Sequence, residues 1–282
     1  MDSGRKTRVI VGALLGLLFV GIVALGSVFR TVVFTVAAVI AVYEMSNMIY
    51  KKTERNIFAA PAYIFAALCF PVASFPAALA ARMSAATAIM LLGALCLMLI
   101  AAERVFNKLR TTEESIYSAF MLIYPMSLFG MLALIMPADG LTSPKNVGLL
   151  LVFICPLMGD MLAYYIGSSM GKRKLCPEIS PHKTVEGSYG SFLGGLLGGF
   201  VCFLLQFIWG LHLPILPMLL VGIICGGVGQ IGDLFASVIK RWAGAKDYGN
   251  IFPGHGGVID RLDSVLMCAP VVLFYVWLSM LG

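Results

Sequence analysis

The stretch Val147-Gly148-Leu149-Leu150-Leu151-Val152-Phe153-Ile154-Cys155-Pro156-Leu157-Met158-Gly159-Asp160-Met161-Leu162-Ala163-Tyr164-Tyr165-Ile166-Gly167-Ser168 decides how the whole chain is read: it contains one charged side chain, Asp160. A helix crossing a hydrocarbon layer about 30 Å thick needs about 20 mostly apolar residues. Lipid offers no partner for an unpaired backbone group, so such a run spans as a helix. The same texture continues outward in both directions. Of 282 residues, 60% are apolar and 12% charged, and the mean hydropathy is +0.95. Water-soluble domains average about 45–50% apolar and about 25% charged, so the composition excludes one. The expected fold class is all-α, a polytopic integral membrane protein with about nine transmembrane helices. Their approximate limits are 9–29, 31–50, 57–80, 83–102, 115–137, 147–168, 191–209, 213–232 and 264–281.

The basic residues orient these spans. Twenty Lys and Arg stand against fourteen Asp and Glu, a formal charge of +6. In a soluble chain that excess would suggest nucleic acid as a partner; in a membrane chain it reports sidedness, because Lys and Arg collect in cytoplasmic loops. The N-terminus and every second loop hold Arg5, Lys6 and Arg8; Lys51, Lys52 and Arg55; Arg104, Lys108 and Arg110; Lys172, Arg173, Lys174 and Lys183; and Lys240, Arg241, Lys246 and Arg261. The intervening loops hold only Arg30, Arg82 and Lys145. The N-terminus is therefore expected to be cytoplasmic and the C-terminus outside, and no nucleic-acid partner is expected. Arg5, Lys6 and Arg8 ahead of an apolar run, with Ala24-Leu25-Gly26 after it, imitate a signal peptide. The run is too long for one, so an uncleaved first helix is expected.

Residues 1–137 read as a scaffold of transmembrane helices. Pro61, Pro71 and Pro76 suggest a kinked or broken third helix. Glu44 is the one carboxylate inside these five spans, and a structural role is expected for it, paired or snorkelling near the cytoplasmic interface. The seven cysteines form no Cys-x-x-Cys pair, and all except Cys176 lie in apolar stretches as small core residues.

Polar chemistry gathers in residues 138–282, the expected catalytic region with its cytoplasmic motif loops. Asp160 shares a helix stripe with Ala163, Tyr164, Gly167 and Gly171. An unpaired Asp in hydrocarbon costs about 3 kcal/mol on insertion scales, so it should face a polar cavity or a cation. The next loop contains Ser180-Pro181-His182-Lys183-Thr184, hydroxyls around a lysine on a rigid turn, a set suited to phosphate. Farther on, Asp233, Ser237, Lys240 and Arg241 fall on one face of a helix expected to continue past the eighth span. After them come Lys246, the turn-rich His255-Gly256-Gly257, and Asp260-Arg261-Leu262-Asp263.

Asp233, Asp260 and Asp263, with Asp160 in support, are hard oxygen donors beside Lys183, Lys240, Arg241, Lys246 and Arg261. Mg²⁺ suits such a place, because it takes one or two carboxylates and leaves positions for water and substrate phosphates. Carboxylates beside Lys and Arg at the cytoplasmic membrane face suggest metal-assisted phosphoryl or nucleotidyl transfer; the plainer alternative is helix-end charges paired with one another. Neither a GxxxxGK[ST] loop nor a dinucleotide-type GxGxxG run is present.

At these residues the chain resembles the phosphatidate cytidylyltransferase family, also called CDP-diglyceride synthases. The family's C-terminal signature stands here as Ser237-x-x-Lys240-Arg241, Lys246-Asp247, His255-Gly256-Gly257 and Asp260-Arg261-x-Asp263. Upstream, Ser180-Pro181-x-Lys183-Thr184-x-Glu186-Gly187 and Asp160-x-x-Ala163-Tyr164-x-x-Gly167 match as well. Ser168 departs from the pattern, which has a basic residue after the glycine.

The resemblance implies that CTP and phosphatidic acid give CDP-diacylglycerol and pyrophosphate with Mg²⁺, and with room for a second cation, in a bacterial inner membrane. It implies catalytic roles for Asp233, Lys240, Arg241, Asp260 and Asp263, and metal ligation by Asp233, Asp260, Asp263 and Asp160. Substrate contacts are implied for Ser180, Lys183, Thr184, Ser237, Lys246, His255, Gly256, Gly257 and Arg261. A homodimer also fits the family. Two other readings stay open on the residues alone: a CTP-dependent lipid-alcohol kinase, and a transporter using Asp160 and Asp233 as an ion path.

Overall fold

A computed structural model describes residues 3–74, 83–136 and 143–280, with side chains from residue 11 onward. Among the described residues, ten α-helices follow one another: α1 (Ser3–Ala24), α2 (Gly26–Thr53), α3 (Ala60–Ser74), α4 (Ala85–Phe106), α5 (Thr112–Met121), α6 (Ser127–Ile135), α7 (Pro144–Met170), α8 (Val185–Leu205), α9 (Ile215–Trp242) and α10 (Ile259–Ser279). A two-stranded antiparallel sheet, β1 (Lys174–Cys176) and β2 (Ser180–Thr184), stands between α7 and α8. The chain is an all-α polytopic integral membrane protein. Among the described residues, seven helical stretches are long and apolar enough to cross a bilayer, α5 and α6 counting together as one of them; Val11–Ala24 and Ala60–Ser74 are shorter apolar helices. Pro76, Arg82 and the parts of the third and fifth expected spans at 75–80 and 137 lie outside the described residues.

Several limits differ from the sequence expectation: α8 begins at Val185 and not at 191, α10 at Ile259 and not at 264, and two breaks fall elsewhere. The break between the first two helices falls at Leu25, where Gly26 takes φ +86°, and not at Arg30. Arg30 is thus a buried residue of α2 and not a loop charge. The fifth expected span is interrupted: Tyr124, with φ −137° and ψ 121°, leaves the helical region between α5 and α6. Its neighbour Pro125 disfavours the α conformation at the preceding residue and supplies no N–H to the ladder.

The chain divides into two compact units, one of residues 1–134 with 242–261, the other of residues 135–241 with 262–282. In the first, Phe34 of α2 stacks on Phe70 of α3 with ring centroids 5.6 Å apart, and Phe70 meets Phe129 of α6 edge to face at 6.3 Å. In the second, α7, α8 and α9 approach backbone to backbone. A Cβ on Gly190 would stand 2.8 Å from the Leu162 carbonyl oxygen, and one on Gly198 2.8 Å from Cys155 Cα. Cβ atoms on Gly195 and Gly226 would overlap the Gly222 and Ser191 carbonyls of the facing helix. With no hydrophobic drive between helices in lipid, small residues allow the close packing that holds such a bundle. Ser191 adds a hydrogen bond, its hydroxyl donating to the Gly226 carbonyl at 2.7 Å.

Candidate active site

The polar cluster of the second unit is built from α7, the hairpin, α9 and the first turns of α10. The sequence Lys172–Thr184, expected as a loop, forms the β-hairpin, and several local bonds hold it. Thr184 caps α8, its buried hydroxyl accepting the Gly187 N–H at 3.1 Å. Glu186 accepts the N–H groups of Lys172 and Arg173 at 3.0 and 3.2 Å. Val185 donates to the Arg173 carbonyl at 2.9 Å, and Arg241 Nε of α9 donates to the Ile179 carbonyl at 3.3 Å.

With the hairpin so fixed, Lys183 reaches Asp233 of α9, Nζ to Oδ2 at 2.7 Å. Their side chains are 20% and 33% exposed. An ion pair that open to solvent contributes about 0–1 kcal/mol to stability, and the hairpin has its own anchors. The pair places charge more than it holds the fold. Helix α9 runs unbroken to Trp242, so Asp233, Ser237, Lys240 and Arg241 stand on one helix as their spacing required. The Ser237 hydroxyl lies 3.5 Å from Asp233 Oδ1, and Lys240 is 9% exposed.

Asp263 of α10 is buried, and its Oδ1 accepts the N–H of Ser264 at 2.7 Å. The charges of Asp233, Lys240 and Asp160 all act on it. The Ser264 hydroxyl lies 3.4 Å from Asp160 Oδ2 and 3.5 Å from Asp263 Oδ1, linking α7 to α10. Nothing in the sequence marked Ser264 except its place beside Asp263. Asp160 itself is exposed, and Ser180 and Pro181 begin β2 at the rim. Ser168, where the family pattern departs, donates back to the Tyr165 carbonyl within α7.

The first unit holds the remaining candidates in the segment Trp242–Arg261. Asp260 Oδ2 accepts two backbone N–H groups, from Tyr248 at 2.8 Å and Gly257 at 2.9 Å, which closes the loop on itself. Gly256 takes φ +82°, and a Cβ there would stand 2.7 Å from Asp260 Oδ2. Only glycine satisfies both demands. His255 donates its backbone N–H to Phe252, while its buried Nδ1 has no hydrogen-bond partner among the described residues. Lys246 and Arg261 are exposed.

Among the described residues, no three His, Cys, Asp or Glu side chains gather closely enough to hold a metal ion alone. The carboxylates of the second unit offer oxygen ligands only, with Asp233 a third open to solvent and Asp160 exposed. Such a set fits Mg²⁺, which completes its shell with water and substrate phosphate.

The sequence model of the Cytidylyltransferase family matches residues 6–279. The chain belongs to the cytidylyltransferase family. It is 47% identical over 116 residues to a phosphatidate cytidylyltransferase of Bacillus subtilis, covering 41% of this chain and 42% of that protein. With the protein of the same name from Aquifex aeolicus it shares 47% over 123 residues, 43% and 44% of the two chains. With that from Synechocystis it shares 42% over 144 residues, 47% and 46%. The chain spans under half the length of these curated relatives in each match.

Proposed function

We propose that this chain is a phosphatidate cytidylyltransferase, forming CDP-diacylglycerol and pyrophosphate from CTP and phosphatidic acid at the cytoplasmic face of a bacterial inner membrane. The observation that carries the reading is the Lys183–Asp233 pair at 2.7 Å, beside a buried Asp263 on which the charges of Asp233, Lys240 and Asp160 act. The names of the relatives support the same substrates.

In this reaction a phosphate oxygen of phosphatidic acid attacks the α-phosphorus of CTP. A new P–O bond forms, the bond from the α-phosphorus to its bridging oxygen breaks, and pyrophosphate departs with that electron pair. The attacking phosphate is already anionic at neutral pH, so the protein needs no strong base. It must bring two polyanions together, which positioning and fixed opposite charge accomplish.

Lys183, Lys240 and Arg241 supply that charge, with Ser180 and Ser237 as hydroxyl donors, while Thr184 acts through its cap on α8. Asp233, with Asp263 and Asp160, would hold Mg²⁺ and any second cation; when bound, the ion neutralises phosphate charge as a Lewis acid. In the Trp242–Arg261 segment, Asp260 is a further proposed carboxylate ligand. Lys246, His255, Gly256, Gly257 and Arg261 are proposed phosphate contacts there. Nine membrane crossings, a cytoplasmic N-terminus, an outside C-terminus and a homodimer complete the proposal, on the charge alternation and the family's habits.

Position-labelled CTP tests it. Label on the α-phosphorus is expected in lipid, and label on the γ-phosphorus in pyrophosphate. Transfer of the γ-label to lipid would instead establish a kinase. Solute movement into vesicles without CTP consumption would establish a transporter.

A further inference from the structure

Every α-helix opens with backbone N–H groups that have no partner inside it. The residue ahead of α10 is Val258, whose side chain has no acceptor to offer them. Helix α2 provides one. Glu44 Oε1 accepts the Val258 N–H at 2.8 Å and Oε2 accepts the Ile259 N–H at 2.9 Å, bonds that join residues 214 and 215 apart in sequence. Glu44 is 1% exposed, so it is buried and bonded to backbone and does not snorkel.

The segment is moulded around this side chain. A Cβ on Gly249 would stand 2.7 Å from Glu44 Oε1, and one on Gly257 would overlap the carboxyl group. Three successive N–H groups are divided between two carboxyls: that of Gly257 goes to Asp260, and those of Val258 and Ile259 go to Glu44. Moving Glu44 therefore shifts the backbone on which the two bonds of Asp260 depend.

We propose that Glu44 is the positioning residue of the Asp260 loop. It stands in for the cap that α10 lacks, and fixes where Asp260 and His255-Gly256-Gly257 present themselves. It acts through the loop and touches no substrate. The contact itself is independent of the catalytic reading; its consequence for turnover rests on that reading.

The test uses the full chain in detergent or nanodiscs. Glu44→Gln keeps the shape but leaves one oxygen to accept two N–H groups, with an amide NH₂ facing one of them. The expected result is a kcat at least about 10-fold lower, because misplacement of a loaded site acts on turnover, with the KM for phosphatidic acid within about two-fold. Amide exchange should quicken across 255–261, while peptides of α7 to α9 exchange as in the wild type. A purely structural Glu44 would lower the melting temperature and leave both kinetic constants and the 255–261 exchange of the folded fraction unchanged; that result overturns the proposal.

Gly249→Ala gives a second route. Beside Glu44 it should lower kcat, whereas in a Glu44→Ala background, where its methyl meets open space, the further loss should be under about two-fold. Equal losses in both backgrounds would contradict the proposal. Should the wild type turn over no CTP, the catalytic reading fails, and the exchange pattern of Glu44→Gln still decides the role of Glu44.

Discussion

The two polar regions of the chain are held in opposite ways. In the unit of residues 135–241 and 262–282, Asp160, Asp233 and Asp263 project from three helices, and other side chains answer their charge: Lys183, Lys240 and Ser264. In the unit of residues 1–134 and 242–261, backbone answers the carboxyls. Asp260 closes a glycine-rich loop through Tyr248 and Gly257, and Glu44 receives the two N–H groups that follow. The first region stores charge on rigid supports, and the second stores shape in a turn. Removing charge should injure the first most, and removing an acceptor should injure the second.

The largest effect is expected for Asp233→Asn. Turnover should fall about 10³-fold, the upper range for loss of one preorganised electrostatic group, and Tm should move little because a partly exposed pair contributes about 0–1 kcal/mol. Turnover within a few-fold of wild type would remove Asp233 from the reaction. Two substitutions of Asp260 sharpen the contrast. Asp260→Asn retains an oxygen for the Tyr248 and Gly257 N–H groups, so turnover should fall by about 10²-fold while exchange across 246–260 stays as it was. Asp260→Ala should add rapid exchange there, since unpaired buried donors cost about 1–3 kcal/mol each. If both variants loosen the loop equally, shape and charge are not separable at Asp260.

Smaller effects test the supports. Gly195→Ala places a methyl against the Gly222 carbonyl, and overpacking of this kind costs about 1–3 kcal/mol, to be read from thermal melting in detergent. An unchanged melting curve would mean that α8 and α9 can separate freely. Thr184→Ala removes the cap of α8 and should cost about 1 kcal/mol, with turnover reduced less than in Asp233→Asn. The reverse ranking would give Thr184 a direct part in the reaction.

Much of this was legible in the sequence because its signals are local. Apolar runs of about 20 residues located the helices, and the spacing of Asp233, Ser237, Lys240 and Arg241 required the single helix that α9 provides. What stayed hidden depends on backbone or on distant pairing. Glycine at position 26 ends α1 five residues early through a positive φ that composition does not display, and Tyr124 breaks a helix through its proline neighbour. The hairpin at Lys174–Thr184 is short, with seven of its eleven residues charged, proline or hydroxyl-bearing, and carries no alternating apolar pattern. Glu44 was visible as a lone carboxylate in an apolar span. Its partners are N–H groups more than 200 residues away, which no residue type announces.

The central claim is that the charge cluster around Asp233 transfers a cytidylyl group. The most direct measurement compares wild-type protein with Asp233→Asn at matched Tm, following lipid-linked cytidine and pyrophosphate from CTP and phosphatidic acid in one assay. Equimolar appearance of both products in the wild type, and of neither in the variant, is the expected result. Release of CDP in place of pyrophosphate, or equal product from both proteins, would contradict it.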